Sequence, residues 1–353
     1  MKNFISILIF ITCFNGVYTQ STNIKIVKDS IYSETLRNKA GNSLKRSVTV
    51  YLPPGYENSE KNYPVIYFLH GFLVNDHINS MWFNTAKKLE YAFNKEKIRP
   101  FIMVIVDQYT LFRGSFYTNS SLTGNWEDFT TKDLASYMDK NYRTIPDRNS
   151  RGIAGWSMGG FGAIKLGMKH PDIFGTVYAL SPATLDLVRE LGIHGEGYKQ
   201  VNNIENRELL IDGYNYMYPN IIVAMGRAFT PNMDNPPFYA DLPYTLENKT
   251  VKIHPEIISE WKKNMPIYMI ENNIENLKSL NAIKLDWGRN DFHKHIPESS
   301  KAFSMKLEQY GIDHYAEEYI GDHGNKLWTL DGRVINDMLP FFDQFLTFES
   351  DKL

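Results

Sequence analysis

The feature that most constrains this chain is a series of short apolar, β-branched runs, several of them without polar alternation, separated by helical patterns. A strand buried on one face alternates apolar and polar residues, whereas a strand of a parallel sheet is covered on both faces. The runs therefore predict an α/β fold with a mostly parallel sheet between helices. The predicted strands are residues 47–52, 64–69, 101–106, 152–156, 176–180, 282–287 and 314–320, and the predicted helices are residues 82–94, 128–139, 160–169, 299–310 and 334–345.

Composition and charge narrow the chemistry. Of the 353 residues, 43% are apolar, which is enough to bury a large core. Lys and Arg number 38 against 40 Asp and Glu, so the formal net charge is -2 and we expect no nucleic-acid partner. The one cysteine, Cys13, lies near the N-terminus. Histidine, serine and carboxylates must therefore carry any chemistry.

The N-terminus has the pattern of an export signal. Lys2 precedes an almost wholly apolar run from Phe4 to Phe14, and small residues stand before Gln20. This order is typical of a secretory signal peptide, and the run is too short to span a bilayer. We predict a signal peptide at residues 1–19, a secreted or periplasmic location, and no integral membrane segment after signal removal. A lipid anchor at Cys13 is the alternative.

The stretch from residue 183 to 281 interrupts the alternation of strands and helices and is rich in Tyr, Met, Asn and Pro. It is too long for an ordinary connection, which predicts an inserted cap, a lid or a small helical subdomain. Its aromatic residues suit either a core of its own or contact with substrate. No repeat or low-complexity linker divides the chain, so residues 20–353 are predicted to form one catalytic domain.

A G-x-S-x-G motif spans Gly155 to Gly159, directly after a predicted strand and before a predicted helix. At such a turn the serine is held in a strained conformation with its hydroxyl exposed. Glycine is needed on both sides because a side chain there would strike the adjoining strand or helix. The context therefore predicts Ser157 as a nucleophile.

A serine hydroxyl needs an imidazole and an orienting carboxylate, which in this arrangement follow later in the chain. Asp291 comes just after the strand predicted at 282–287, and His323 comes just after the last predicted strand. These two residues are the predicted acid and base. Asp286 lies inside its strand and is expected to be structural, and His293 and His295 are expected at the rim of the site.

Acyl transfer also requires backbone donors for the developing oxyanion. The predicted donors are the amide of Met158, at a helix start, and the amide of Phe72, which follows a central strand. The side chain of His70 in the same loop is expected to be structural. The sequence has no metal-binding motif and no dinucleotide-binding loop, so no metal and no cofactor is predicted.

Several stretches resemble the esterase D and antigen-85-like group of α/β-hydrolases. They are residues 69–72, 114–120, 123–129, 139–143, 151–163, 170–174 and 321–323. The resemblance implies an α/β-hydrolase fold with Ser157, Asp291 and His323 as the triad. It also implies that Trp126 helps to form the wall of the site. Trp156 stands where the family more often has a small or aliphatic residue, so Trp156 is expected to narrow the pocket and contact substrate.

Together these features predict an exported serine carboxylesterase. Its partner would be a small-molecule or polysaccharide ester, and within the resembled family an acetylated or feruloylated carbohydrate is the expected substrate. The alternatives are an acyltransferase of the mycolyltransferase type, a siderophore esterase, and a glycan-binding module without catalytic activity.

Overall fold

A computed structural model describes residues 23–212 and 216–349. The predicted signal peptide and Cys13 lie outside the described residues. An eight-stranded sheet forms the centre of the fold. Its strands are β1 (Lys25–Tyr32), β2 (Lys45–Leu52), β3 (Val65–Leu69), β4 (Ile102–Val106), β5 (Arg151–Trp156), β6 (Thr176–Leu180), β7 (Ala282–Gly288) and β8 (Tyr315–Tyr319).

The strand order across the sheet is β1-β2-β4-β3-β5-β6-β7-β8. Strand β2 is antiparallel to β1 and β4, and every pairing from β4 to β8 is parallel. Strands β3, β4 and β6 are buried along their whole length, as their apolar runs predict. Because parallel strands end at one edge of the sheet, the loops after β5, β7 and β8 lie close together. The predicted α/β fold is confirmed.

Helices cover both faces of the sheet, where two clusters of buried apolar side chains form the core. The α-helices are α1 (Asp76–Phe83), α2 (Thr85–Asn94), α3 (Trp126–Asp128), α4 (Ala135–Asn141), α5 (Met158–Lys169), α6 (Glu196–Asn202), α7 (Glu208–Asp212), α8 (Met217–Phe229), α9 (Pro255–Lys262), α10 (Pro266–Met269), α11 (Ile274–Ser279), α12 (His295–Gln309) and α13 (Leu339–Phe345). Two π-helical segments, Phe129–Leu134 and Val334–Met338, precede α4 and α13. In the described part of the chain no helix is both long and apolar enough to cross a membrane.

Two elements differ from the sequence prediction. Strand β1 was not predicted, because it lies at the edge of the sheet and most of its residues are exposed, so it has no apolar run. The helix predicted at residues 82–94 is two helices, since Asn84 adopts a left-handed conformation with φ of 46° between them. A left-handed residue interrupts the helical hydrogen bonds, and asparagine tolerates it better than most residues.

The segment between β6 and β7 contains α6 to α11 and a hairpin of Tyr244–Glu247 with Thr250–Ile253. Some of its aromatic rings pack on each other, as Tyr198 and Tyr244 do at 5.0 Å, and others pack on the rest of the domain, as Phe229 does on Phe116 at 5.9 Å. The segment also lines the cavity beside Ser157. Its buried apolar residues thus extend one of the two core clusters of the domain, and the segment also forms a wall of the candidate site.

Candidate active site

Ser157 occupies a sharp turn between β5 and α5. Its φ of 59° and ψ of -118° are strained values for a residue other than glycine. The turn is held from both sides, because the Ser157 N–H donates to the Leu180 carbonyl and the Ser157 carbonyl accepts from the Ala183 N–H, each at 3.0 Å. A serine held in this way presents its side chain at the end of the strand rather than inside the helix.

The two glycines of the motif allow strand β3, strand β5 and helix α5 to approach closely. A Cβ at Gly155 would lie 2.3 Å from the carbonyl carbon of Gly159, and a Cβ at Gly159 would lie 2.0 Å from the carbonyl oxygen of Leu69. Both contacts are with backbone atoms, which cannot move aside as a flexible side chain can. The steric reason given above for both glycines is thus borne out.

We expect Gly159→Ala to destabilise the fold by about 1–3 kcal/mol, because the new methyl group overlaps the Leu69 carbonyl. The measurement is the urea midpoint and slope of unfolding. Gly324→Ala is the matched control, since a Cβ there lies 3.8 Å from its nearest neighbour. Equal midpoints for the two variants would contradict the steric argument.

Asp291 and His323 meet at the edge of the sheet, each in the loop after its strand. His323 Nδ1 lies 2.8 Å from Asp291 Oδ2, and both residues are buried. The other oxygen, Asp291 Oδ1, accepts the backbone N–H of His293 at 2.9 Å. Because an ionised carboxylate only accepts hydrogen bonds, the Nδ1 of His323 carries the proton and its Nε2 is free to act as a base.

The indole of Trp156 supports His323. Its ring centre lies 5.0 Å from that of His323, and its Nε1–H donates to the His323 carbonyl at 2.9 Å. The base is thereby held beside the residue that precedes Ser157. The hydroxyl of Ser157 makes no hydrogen bond within the described residues. Catalytic hydrogen bonds are often long in a ligand-free site. That Trp156 contacts substrate stays a prediction.

Phe72 and Met158, whose amides are the predicted oxyanion donors, have neighbouring side chains although they are far apart in sequence; that their amides bind the oxyanion stays a prediction. A Cβ at Gly114 would strike Met158 Sδ at 2.4 Å and Phe72 Cδ2 at 2.7 Å, so both side chains pack on one point. Met158 begins α5, where its amide has no acceptor within the helix. His70 is fully buried between Gly71 and Gln108, so it shapes the Phe72 loop without reaching the site.

A narrow cavity opens beside Ser157. Its walls are mostly apolar and combine the Phe72 loop, the start of α5, the segment after β6 and the start of α12. Such a mixture of apolar walls and a few polar groups is typical of a ligand site. The lining residues are Phe72, Phe116, Ser157, Met158, Ala183, Thr184, Ile221, His293, His295 and Ile296.

His293 and His295 line the cavity, whereas they were expected at the rim of the site. The ring of His293 lies 4.9 Å from that of His323, and its Nδ1 is 2.7 Å from the Tyr218 hydroxyl. Burial, and then the nearby rings of His323 and His295, lower the pKa of His293 to about 3, so this ring is neutral at physiological pH. The His-x-His spacing just after Asp291 was the sequence feature that could have indicated that both histidines lie in the site.

Two other residues are structural. Asp286 is buried and accepts hydrogen bonds from the Tyr178 hydroxyl at 2.6 Å and from Arg333, in line with its place inside β7. Trp126 is 0% exposed, and its Nε1–H donates to the Thr123 carbonyl at 3.0 Å. The prediction that Trp126 lines the substrate site is therefore wrong. A large indole with no exposed surface is part of the core and cannot contact substrate.

Within residues 23–212 and 216–349, no group of three or more His, Cys, Asp or Glu side chains is placed to hold a metal ion.

The chain is similar in sequence to known esterases. It is 34% identical over 143 residues to an esterase of Mycobacterium tuberculosis, a match that covers 39% of this chain and 29% of the relative. It is 30% identical over 151 residues to an endo-1,4-beta-xylanase/feruloyl esterase of Xylanibacter ruminicola, covering 39% of this chain and 20% of the relative. The chain thus spans less than a third of either relative.

A solved structure of a ferulic acid esterase shares the fold. It superposes with a TM-score of 0.63 at 22% identity, covering 92% of this chain and 99% of that one. The family model described as "Putative esterase" matches residues 42–335, which include Ser157, Asp291 and His323. The α/β-hydrolase fold is confirmed, and the chain belongs to this esterase family, the esterase D and antigen-85-like group.

Proposed function

We propose that this chain is a serine carboxylesterase with Ser157 as nucleophile, His323 as base and Asp291 as the acid that orients His323. The observation that carries the proposal is the strained turn that presents Ser157 at the edge of the sheet where the buried Asp291–His323 pair also lies. A nucleophile, a base and an orienting carboxylate brought to one place are the requirements for activating a serine hydroxyl. The family membership adds to this argument.

The reaction follows from these roles. His323 Nε2 removes the hydroxyl proton as Ser157 Oγ bonds to the ester carbonyl carbon. The resulting oxyanion accepts hydrogen bonds from the amides of Phe72 and Met158. The C–O bond to the alcohol then breaks, and the alcohol leaves with the proton from His323. Water, deprotonated by His323, then attacks the acyl carbonyl carbon, the bond from that carbon to Ser157 Oγ breaks, and His323 returns the proton to Oγ as the acid leaves.

Within this class we propose an acylated carbohydrate, acetylated or feruloylated, as the substrate of an exported enzyme. The support is the relative named as a xylanase/feruloyl esterase, together with the signal-peptide pattern at residues 1–19. The cavity beside Ser157 is small and largely apolar, which suits the acyl group of an ester better than a sugar chain.

The test is a product screen of the purified chain against acetylated xylan, methyl ferulate, a catecholate ester and a short acyl ester. We expect release of free acetate or ferulate by the wild type and none by Ser157→Ala. Preferential cleavage of the catecholate ester would contradict the carbohydrate assignment. Hydrolysis of none of the four esters by folded wild type would contradict the esterase itself.

A further inference from the structure

A second histidine–carboxylate pair lies beside the cavity and is not used by the reaction above. His295 Nδ1 is 3.2 Å from Glu190 Oε2. Glu190 also accepts the backbone N–H of Lys294 at 2.9 Å and that of His295 at 3.0 Å. These three contacts hold the carboxylate and fix the orientation of the imidazole, in the way that an orienting carboxylate fixes a catalytic histidine.

The negative charge on Glu190 determines that the His295 nitrogen facing it carries a proton. Burial raises the pKa of Glu190, but hydrogen bonds from the His295 ring and from backbone amides outweigh it, so the pKa falls to about 2. An ionised carboxylate only accepts hydrogen bonds, so Nδ1 of His295 carries the proton that points to Glu190. The opposite nitrogen, Nε2, is then left for a partner elsewhere.

That partner is missing. His295 Nε2 and Thr184 Oγ1 are both buried and have no hydrogen-bond partner within the described residues. Each of the two residues is only 2% exposed, and both line the cavity that contains Ser157. A buried polar atom without a partner is costly, so an arrangement that keeps two of them at one cavity points to a ligand group that pairs with them.

The nearby walls supply no alternative partner. Phe72, Phe116, Ile221 and Ile296 present only apolar side chains to this cavity. Nearby His293 is engaged through its Nδ1 by the Tyr218 hydroxyl. Apart from the Ser157 hydroxyl, which the reaction uses, the buried, unpaired polar side-chain atoms that line this cavity in the described part of the chain are those of His295 and Thr184.

We propose that His295 and Thr184 form a subsite that recognises a hydroxyl group of the bound ester, with Glu190 as the residue that positions His295. A hydroxyl can donate to Nε2 and accept from the Thr184 hydroxyl at the same time, which a methyl or methoxy group cannot do. A carboxylate on the substrate would instead lie close to the negative Glu190. This subsite rests on the proposed esterase function, because the ester at Ser157 brings the hydroxyl into the cavity.

The recognised hydroxyl can belong to the acyl group or to the sugar, and two pairs of matched substrates distinguish these sources. The first pair is methyl 4-hydroxycinnamate and methyl cinnamate. The second pair is a monoacetylated methyl xyloside and its analogue that lacks the neighbouring hydroxyl. We expect the wild type to prefer the hydroxylated member of one pair by about 10- to 100-fold in kcat/KM, because the deoxy member leaves both atoms unpaired.

The variants Thr184→Val, which preserves shape, and His295→Phe, which preserves a ring, should reduce this preference to nearly one. Each variant should lower kcat/KM for the hydroxylated member much more than kcat/KM for the deoxy member, a split that a merely structural role would not give. The preference of Glu190→Gln for the hydroxylated member should fall between that of the wild type and that of His295→Phe, because a neutral amide holds the His295 ring less firmly.

Three results would overturn the subsite. They are a wild type without preference within either pair, a preference that persists in both variants, and variants that lose activity equally toward both members of a pair. Fluorophosphonate labelling of Ser157 separates this failure from that of the esterase proposal. A labelled, active enzyme without preference refutes the subsite alone, whereas an unlabelled and inactive wild type refutes both.

Discussion

Ser157→Ala is expected to lower turnover of the ester that the screen identifies by about 10⁴- to 10⁶-fold, the loss typical of a missing triad nucleophile. The reason is that the acyl-enzyme cannot form, and only binding and the oxyanion donors remain to assist direct attack by water. The measurement is kcat at saturating substrate.

The fold should survive this substitution, because alanine removes one oxygen from a side chain without a hydrogen bond in the described residues. Thermal unfolding followed by circular dichroism is the control. A Ser157→Ala enzyme with more than about a tenth of wild-type kcat would exclude covalent catalysis by this residue.

His323→Ala is expected to have an effect of similar size, about 10⁴- to 10⁶-fold, because Ser157 then lacks its base. Asp291→Asn should cost about 10⁴-fold, since an amide reverses the pattern of donors facing Nδ1 and favours the wrong tautomer. Residues that act as a unit are not additive, so Ser157→Ala with His323→Ala should be no slower than Ser157→Ala alone. Steady-state kinetics of the three variants and the double variant give the comparison.

Matched controls come from the same chain. His314 contacts Ser304 at 2.7 Å and lies outside the site, so His314→Ala should keep the wild-type kcat. Asp286 is as buried as Asp291 but pairs with Tyr178 and Arg333, so Asp286→Asn should change stability and leave kcat per folded molecule unchanged. Full activity in Asp291→Asn with loss in Asp286→Asn would transfer the acid role to Asp286.

The sequence predicted the sheet wherever a strand is covered on both faces. Strands β3, β4 and β6 are buried throughout and almost wholly apolar because they lie inside the sheet. Edge strand β1 has no such pattern, since most of its residues face solvent. Ser157, Asp291 and His323 could be predicted from the sequence for a related reason. Each lies in the loop after a strand of the parallel part of the sheet, namely β5, β7 and the edge strand β8, and the carboxyl ends of parallel strands share one edge.

Pairings that depend on the packing of distant segments could not be predicted. Glu190 and His295 are 105 residues apart, and nothing in the sequence around either residue indicates that the two are paired. Trp126, in contrast, was predicted to lie in the site although it is a core residue. Indoles serve both cores and binding sites, and only the packing around Trp126 identifies it as a core residue.

The central claim is that Ser157 is an activated nucleophile, and covalent labelling tests it most directly. The intact chain is incubated with a fluorophosphonate, its mass is measured, and the modified peptide is located by mass spectrometry. The account predicts one adduct on Ser157 in the wild type, no adduct in Ser157→Ala and strongly slowed labelling in His323→Ala. Folded wild type that stays unlabelled, or a label that persists in Ser157→Ala, would contradict it.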